Sequence, residues 1–277
     1  MPELPEVEVT RRALAPYVER RRVESVVVRE PRLRWPVPPQ LPMLITGQTV
    51  AGLHRRGKYL LWTFRNGTLI SHLGMSGAWR VWPQRHRVPL PGTHDHVDLI
   101  VESACIRLTD PRRFGALLWH DAGAGDVNAH PLLVNLGIEP FDARFTGEWL
   151  YRSTRKRAAS IKQVLLAGDV VVGVGNIYAS ESLFRARINP KRAAQRLGQV
   201  RCEALAVAVR EVLAEAIAVG GSTLRDFVSA DGADGYFMLD ARVYGRAGQP
   251  CRVCATPIVR VLQGQRATYY CRQCQRR

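Results

Sequence analysis

The stretch CRVCATPIVRVLQGQRATYYCRQC, which runs from Cys251 to Cys274, decides the architecture of the C-terminal end of the chain. It contains two Cys-x-x-Cys pairs separated by sixteen residues. Each pair can place two sulfurs on one side of a tetrahedral ion. Residues 258–261 and 268–270 have the pattern of two hairpin strands. The spacing therefore predicts a zinc ribbon that is too small to fold without its metal.

The predicted zinc ion is structural, because four cysteine ligands leave no open position for an activated water. The ligands are Cys251, Cys254, Cys271 and Cys274. A pair of disulfides or a set of unbound thiols is the alternative interpretation. Several arginines surround the ribbon, and Arg266, close to the predicted hairpin turn, is the expected contact with a phosphate backbone. Solvated arginines would produce the same pattern.

The charge balance points to an anionic partner. The 277-residue chain has 40 Lys and Arg against 24 Asp and Glu, which gives a net charge of +16. Nucleic acid is the commonest partner of such a protein, although a solvated basic surface is the alternative and charge does not separate DNA from RNA. The first residues do not resemble a secretory signal, and no apolar run is long enough to span a membrane. We expect a cytoplasmic protein.

Two patterns divide the rest of the chain. A short helix is expected from Pro5 towards Pro16, followed by strands with apolar alternation, which predict an antiparallel sandwich or flattened barrel. The pattern becomes helical after a loop-like stretch at 135–141, where we place a domain boundary. The predicted strands cover 23–29, 49–54, 59–64, 69–73, 96–101, 106–109 and 116–119, and the predicted helices cover 147–152, 160–166, 176–185, 200–219 and 224–228.

The N-terminus contains a candidate nucleophile. Pro2 is a small second residue, which permits removal of the methionine and would expose a secondary amine. An α-amino group has a pKa near 8, so about a tenth of it is unprotonated at pH 7, against about 0.04% of a lysine. Attack on a sugar carbon would give an iminium that allows phosphate to leave, and Glu3 could protonate the opening sugar ring. Taken alone, however, these residues also describe an ordinary helix start.

Six motifs extend the argument to the whole chain. They are PELPEVE at 2–8, RGKYL at 56–60, HLGMSG at 72–77, DPRRFG at 110–115, GVGNIYASE at 173–181 and the cysteine ribbon. Together they resemble the formamidopyrimidine-DNA glycosylase family. The resemblance implies an α+β fold with an N-terminal antiparallel β-sandwich at 1–134, a helical helix-two-turn-helix domain at 135–244 and the zinc ribbon at 245–277.

The resemblance also implies roles for residues in these motifs. Pro2 would be the nucleophile and Glu3 the acid, with Glu6 supporting the N-terminus. Lys58 would lie near the lesion and its phosphates.

Other positions in the motifs would bind DNA. By the resemblance, His72, Asn176 and Arg266 grip the backbone around a flipped nucleotide, and Tyr178 belongs to the same DNA-binding set. Two glycines precede Asn176, so backbone N–H groups could approach a phosphate closely. Without the other motifs, this would be a glycine turn that only permits tight packing.

Three further residues match the trio that fills the space left by an extruded base. Met75 and Phe114 would act as apolar wedges, and Arg112 would donate to the abandoned cytosine. Without the resemblance, Met75 and Phe114 would be assigned to the core. The stretch 229–237, with two glycines, is expected to be a mobile loop over the flipped lesion.

The implied activity is base excision repair. The chain would excise oxidised purines, namely 8-oxoguanine opposite cytosine and formamidopyrimidines, from duplex DNA. It would then cleave the abasic strand by β,δ-elimination through a Schiff base on Pro2. We expect a monomer with one zinc ion. An endonuclease VIII-like enzyme for oxidised pyrimidines is the nearest alternative, which Leu4 and the intact Arg112/Phe114 loop disfavour. A non-catalytic zinc-ribbon DNA-binding protein is a second, which Pro2 and Glu3 disfavour.

Overall fold

The computed structural model describes residues 2–102, 104–221 and 241–276 of the chain. Contacts within it separate two units, formed by the described parts of 1–134 with 219–236 and of 135–218 with 237–277. The predicted helix at 224–228 and the predicted mobile loop at 229–237 lie outside the described residues.

The first unit contains helix α1 and two four-stranded antiparallel sheets. The strand orders are β1-β6-β7-β5 and β2-β3-β4-β8. Helix α1 (Leu4–Val18) buries Leu4, Val7, Leu14 and Val18, whose spacing lies on one helical face. A short helix α2 (Leu41–Ile45) follows β1. The strands are β1 (Val23–Val28), β2 (Gly52–Arg56), β3 (Tyr59–Phe64), β4 (Gly67–His72), β5 (Ala78–Trp82), β6 (Asp95–Val101), β7 (Ala104–Thr109) and β8 (Ala116–Asp121).

Two tryptophans from different sheets meet in the core of this unit. Trp62 of β3 and Trp79 of β5 are fully buried, and their ring centroids are 5.5 Å apart. The indole of Trp79 donates to the hydroxyl of Ser71 on β4 at 2.8 Å, so its polar atom is satisfied inside the apolar cluster. The two sheets therefore share one core, as a sandwich requires.

Some element boundaries differ from the prediction. Strand β5 and helix α2 were not expected, and β2 begins three residues later than predicted. Helix α1 continues two residues beyond Pro16, because a proline inside the last turn removes a single backbone donor there. Strand β5 exists through its pairing with β7, where Ala78 lies opposite Thr109, a contact too distant in sequence to read from local alternation.

The second unit begins with four helices, two of which have side-chain caps at their N-terminal ends. They are α3 (Gly147–Thr154), α4 (Ile161–Ala167), α5 (Asn176–Arg185) and α6 (Gln199–Ala218). The Thr146 hydroxyl accepts from the Trp149 amide at 3.1 Å, and Ser160 with Gln163 forms a capping box. Along α6 the buried residues recur every three or four positions, so one face of this helix packs inward.

The same unit ends in the ribbon. Strands β9 (Val259–Gln263) and β10 (Arg266–Tyr270) pair antiparallel around the two-residue turn Gly264–Gln265. Both turn residues have positive φ, at 51° and 62°, as a type I′ hairpin turn requires. Among the described helices, none has the length and apolar character needed to cross a membrane.

Candidate functional sites

Two buried carboxylates organise the chain around Pro2. Glu3 is 2% exposed and is the N-cap of α1, and Glu6 is fully buried. The Glu3 amide donates to the Glu6 carboxylate at 2.7 Å, and the two side chains form a capping box. Pro2 is itself buried next to this pair in sequence. The same residues therefore form the start of α1 and the candidate catalytic group. The interpretation as a helix start and the interpretation as a catalytic terminus are compatible.

Lys58 lies in the tight turn between β2 and β3. Arg56 pairs with Tyr59, which leaves Gly57 and Lys58 as a two-residue loop. Gly57 has a φ of 57°, and glycine at this first position suits a type II′ turn. The turn holds the partly buried Lys58 at the end of the hairpin.

His72 is the last residue of β4 and lies beside the β2–β3 turn. It is directly opposite Tyr59 in the sheet, and the two rings are 4.8 Å apart. The Gly74 amide donates to His72 Nδ1 at 3.0 Å, so the neutral ring has its proton on Nε2. Burial, followed by the positive charges of Lys58 and Arg34, lowers the pKa of His72 to about 4. His72 is therefore a neutral hydrogen-bond donor at pH 7.

Two loops bring Met75, Arg112 and Phe114 together. Gly74 has a φ of 63° and packs so closely on the backbone of Phe114 and Gly115 that a Cβ would overlap it. The Arg112 guanidinium lies 4.9 Å from the centre of the Phe114 ring. Phe114 is 43% exposed, so its ring is accessible at the surface of the loop. Phe114 is therefore not a core residue, which was the alternative assignment from the sequence.

Asp110 holds these loops in place, a role that the sequence did not reveal. The fully buried carboxylate accepts from the Ser76 hydroxyl and the Gly115 amide, both at 2.7 Å. Ser76 in turn accepts from the Arg112 amide at 3.2 Å. The position of Asp110, directly after a strand and before a proline, is the signal from which this role could have been suspected.

A basic groove of about 610 Å³ lies against the exposed side of these loops. Glu30, beside it, binds Arg32 at 2.6 Å and Arg113 at 3.3 Å. The groove combines positive charge with an exposed aromatic ring, the combination that nucleic acids favour. Its lining residues are Arg32, Leu33, Arg34, Arg112, Arg113 and Phe114.

The motif around Asn176 lies in the second unit. Gly173 has a φ of 87°, Gly175 is the N-cap of α5 and Asn176 is its first residue. The side-chain Nδ2 of Asn176 donates to the Tyr244 hydroxyl at 3.4 Å. Tyr178 is fully buried, a placement that does not favour the predicted contact with DNA.

A buried carboxylate in the same motif fixes the backbone that carries Tyr244. Glu181 is 4% exposed and accepts from the amides of Arg242, Val243 and Tyr244 at 2.8, 3.0 and 2.8 Å. The motif contains Glu181, but the sequence gives no sign of this role, because the partners of Glu181 lie some sixty residues away.

The four predicted cysteine ligands form one cluster. Their sulfur atoms lie within 4.8 Å of one another, and three of the separations are 3.9, 3.4 and 3.5 Å. A tetrahedral zinc with bonds of about 2.3 Å requires sulfur separations of about 3.8 Å, whereas a disulfide requires about 2.05 Å. The cluster therefore fits a zinc ion and excludes the disulfide alternative.

Polar contacts attach the ribbon to the rest of the second unit. The fully buried Lys162 of α4 donates to the Ala267 carbonyl at 2.9 Å and to the Thr268 hydroxyl at 2.7 Å. Gln275 donates to the Ile188 carbonyl at 2.8 Å. Arg266 is exposed beside the hairpin turn, where the sequence placed it.

Comparison with known protein families places the whole chain. Residues 1–117 match the formamidopyrimidine-DNA glycosylase N-terminal domain, residues 136–228 its H2TH domain and residues 248–277 a zinc finger found in FPG and IleRS. With the two antiparallel sheets and the cysteine cluster, these matches confirm the predicted fold class and the structural zinc site.

Individual relatives are similar to this chain over almost their full length. The chain is 59% identical to a formamidopyrimidine-DNA glycosylase of Burkholderia thailandensis, with all of both chains covered. It resembles the solved MutM (Fpg) of Thermus thermophilus with a TM-score of 0.87 and 39% identity, over 99% of this chain and 98% of that one. It resembles a point mutant of Lactococcus lactis Fpg in complex with Fapy-dG DNA with a TM-score of 0.89 and 32% identity, over all of both chains. The wild-type L. lactis protein has also been solved with DNA that contains an oxidised pyrimidine.

Proposed function

Because the chain belongs to the formamidopyrimidine-DNA glycosylase family, we propose that it is a base excision repair enzyme that excises oxidised purines from duplex DNA. Its substrates would be 8-oxoguanine opposite cytosine and formamidopyrimidines, and a lyase reaction would then cleave the abasic strand. The observation that carries this proposal is the pair of buried, hydrogen-bonded residues Glu3 and Glu6, which follow the buried Pro2 at the start of α1.

The proposed reaction begins at the amine of Pro2. Its nitrogen attacks the anomeric carbon, the bond from that carbon to the damaged base breaks, and the base leaves with a proton. Glu3 protonates the ring oxygen as the sugar opens, which gives an iminium between Pro2 and the sugar. The iminium accepts the electrons of the neighbouring C–H bond, so the 3′ phosphate and then the 5′ phosphate leave by β- and δ-elimination. Hydrolysis of the last adduct restores the amine.

The remaining sites would hold the damaged duplex. We propose that Lys58 and His72 contact phosphates near the lesion, with His72 donating from Nε2. Asn176 and Arg266 would contact the backbone from the second unit.

The half-buried Met75 and the exposed Phe114 would fill the space left by the extruded base, with Arg112 facing the orphaned cytosine. The close packing of Gly74 on Phe114, together with Asp110, supports this role, because both preset the two loops relative to each other.

When bound, zinc would hold the ribbon folded, so that Arg266 is presented on a fixed hairpin. We also propose the domain boundaries 1–134, 135–244 and 245–277; the three matched ranges support this division, and the separation of the units after residue 134 supports the first boundary. A monomer suffices, because one site acts on one duplex.

Borohydride trapping tests the enzyme class, the nucleophile and the substrate together. The purified protein is incubated with a duplex that contains one 8-oxoguanine opposite cytosine, borohydride reduces any iminium, and mass spectrometry locates the cross-link. We expect an adduct on Pro2, none with undamaged duplex, and an adduct that persists in Lys58→Arg. An adduct on Lys58 would overturn the assignment of the nucleophile.

A parallel duplex that contains thymine glycol distinguishes the pyrimidine-specific alternative. The L. lactis relative has been solved with both Fapy-dG and an oxidised pyrimidine, so relative rates rather than binding decide between the two. Faster excision of thymine glycol than of 8-oxoguanine would refute the purine assignment. Absence of any adduct, with proline confirmed at the terminus and zinc present, would favour the non-catalytic DNA-binding protein.

A further inference from the structure

A third carboxylate, in the second turn of α1, has an unusual set of partners. Glu8 is 9% exposed and accepts hydrogen bonds from three arginines. Burial alone would raise the pKa of Glu8, but the hydrogen bonds of Arg11 and Arg12 and the nearby charge of Arg55 lower it to about 2. The carboxylate is therefore ionised at neutral pH.

The three arginines differ in what they connect. Arg11 and Arg12 lie on the same helix as Glu8, so their contacts remain within α1. Arg55 belongs to β2, and its Nε donates to Glu8 at 3.1 Å. The Arg55 and Glu8 side chains are each 11% exposed, so this ion pair is far better shielded from solvent than the one with Arg12, which is 59% exposed.

The same guanidinium reaches the β2–β3 turn. Arg55 Nη1 donates to the Gly57 carbonyl at 3.0 Å, and Gly57 directly precedes Lys58. One planar, rigid group thus joins the second turn of α1 to the backbone that carries Lys58. Glu8 lies five residues beyond Glu3, which is about 7.5 Å along the helix axis.

We infer that Glu8 and Arg55 are positioning residues that hold the Lys58 turn in a fixed place relative to the helix that begins at the Pro2 terminus. The inference rests on the proposed function, since it assigns the nucleophile to Pro2. In this role they act through the Lys58 turn and not by binding the substrate. They would fix the distance between the amine of Pro2 and the ammonium of Lys58. A displacement of about 1 Å between reacting groups can lower the reaction rate about 100-fold.

A second contact between the same helix and strand provides a matched control. The Glu19 carboxylate, at the C-terminal end of α1, accepts from the Leu53 amide of β2 at 2.9 Å. It fastens α1 to β2 far from the Pro2 terminus. Loss of this contact weakens the same packing without releasing the Lys58 turn.

The test is single-turnover borohydride trapping on a duplex with a preformed abasic site, using the zinc-loaded full-length protein. Arg55→Gln and Glu8→Gln should each slow adduct formation on Pro2 by about 10- to 100-fold, with the Kd for the duplex within threefold of the parent. The double variant should be no slower than the slower single variant, because both substitutions remove the same contact between Arg55 and Glu8. Arg12→Gln and Glu19→Ala should stay within threefold of the parental rate.

Active-site titration separates positioning from simple loss of stability. A merely destabilised variant has fewer active molecules that react at the parental rate, whereas a mispositioned one has a full active fraction that reacts slowly. If Arg55→Gln does not fold, Arg55→Lys serves, because an ammonium lacks the fork that reaches both Glu8 and Gly57, and it should give an intermediate rate.

The two possible failures are distinguishable. No adduct with the parent protein would refute the proposed function itself. An adduct with the parent, together with parental rates for Arg55→Gln and Glu8→Gln, would refute only the positioning role. Equal slowing in Glu19→Ala would also refute it, because general packing of α1 would then be the cause.

Discussion

The substitution Gly74→Ala tests whether the Met75 and Phe114 loops are held in position by their mutual packing. Gly74 has a φ of 63°, where an added Cβ costs about 1–2 kcal/mol. That Cβ would also lie 2.5 Å from the Gly115 amide and closer still to the Phe114 carbonyl, whereas real Cβ atoms stay beyond 3.0 Å. The loop must therefore move by about 0.5 Å or more, and with strain and overpacking together we expect a loss of about 2–4 kcal/mol in the free energy of unfolding.

The same displacement should slow base excision. A shift of this size in the wedge residues should reduce the single-turnover rate on 8-oxoguanine DNA by about 10- to 100-fold, measured by gel-resolved strand cleavage. Gly168→Ala is the matched control, because Gly168 has a φ of 76° with open space around its Cβ position. It should lose stability through backbone strain and keep the parental rate. Parental excision by Gly74→Ala, at a temperature where it is folded, would refute the reasoning.

Three further predictions concern the zinc site, the pH dependence of stability and Asp110. Removing zinc with a strong chelator should unfold the ribbon and abolish DNA binding measured by fluorescence anisotropy, with recovery on zinc addition; unchanged binding by the metal-free protein would contradict the structural role. The pKa of His72 is about 4 in the folded protein against about 6.5 unfolded, so the unfolded state binds more protons between these values and stability should fall by about 3 kcal/mol as the pH drops through that window. Urea titrations should show that His72→Gln flattens this slope, and an unchanged slope would assign the effect to other groups. Asp110→Asn removes one of two buried acceptors and should cost about 1–3 kcal/mol in thermal melts, whereas a variant as stable as the parent would show that the loops do not depend on this carboxylate.

Short-range signals in the sequence predicted much of the fold. Strand β3 was predicted with its exact bounds, because a glycine turn and a run of apolar and β-branched residues define it locally. The ribbon was predicted from cysteine spacing alone, since the metal imposes the geometry on the ligands. Helices α3 to α5 were predicted from the helical spacing of their apolar residues.

Features that depend on distant contacts could not be predicted. The bridge from Glu8 to Arg55 joins positions 47 residues apart, and no local pattern marks either residue as buried. Asp110 and Glu181 belong to two of the six motifs. Their structural roles depend on backbone amides that only the folded chain brings close to these carboxylates. The burial of Tyr178 is likewise a tertiary property, because an aromatic residue on a short helix can face either way.

The attachment of the ribbon has a consequence for how the protein unfolds. Lys162 and Gln275 bond the ribbon to elements of the second unit, and Phe184 of α5 packs with Cys251, Ile258 and Cys271. Unfolding of those helices would expose the buried ammonium of Lys162 and remove the side chains that pack against the cysteine cluster. The helices and the ribbon should therefore unfold in one cooperative transition. Zinc released into a colorimetric dye would then serve as a built-in reporter of second-unit unfolding, readable in a mixture without any added label.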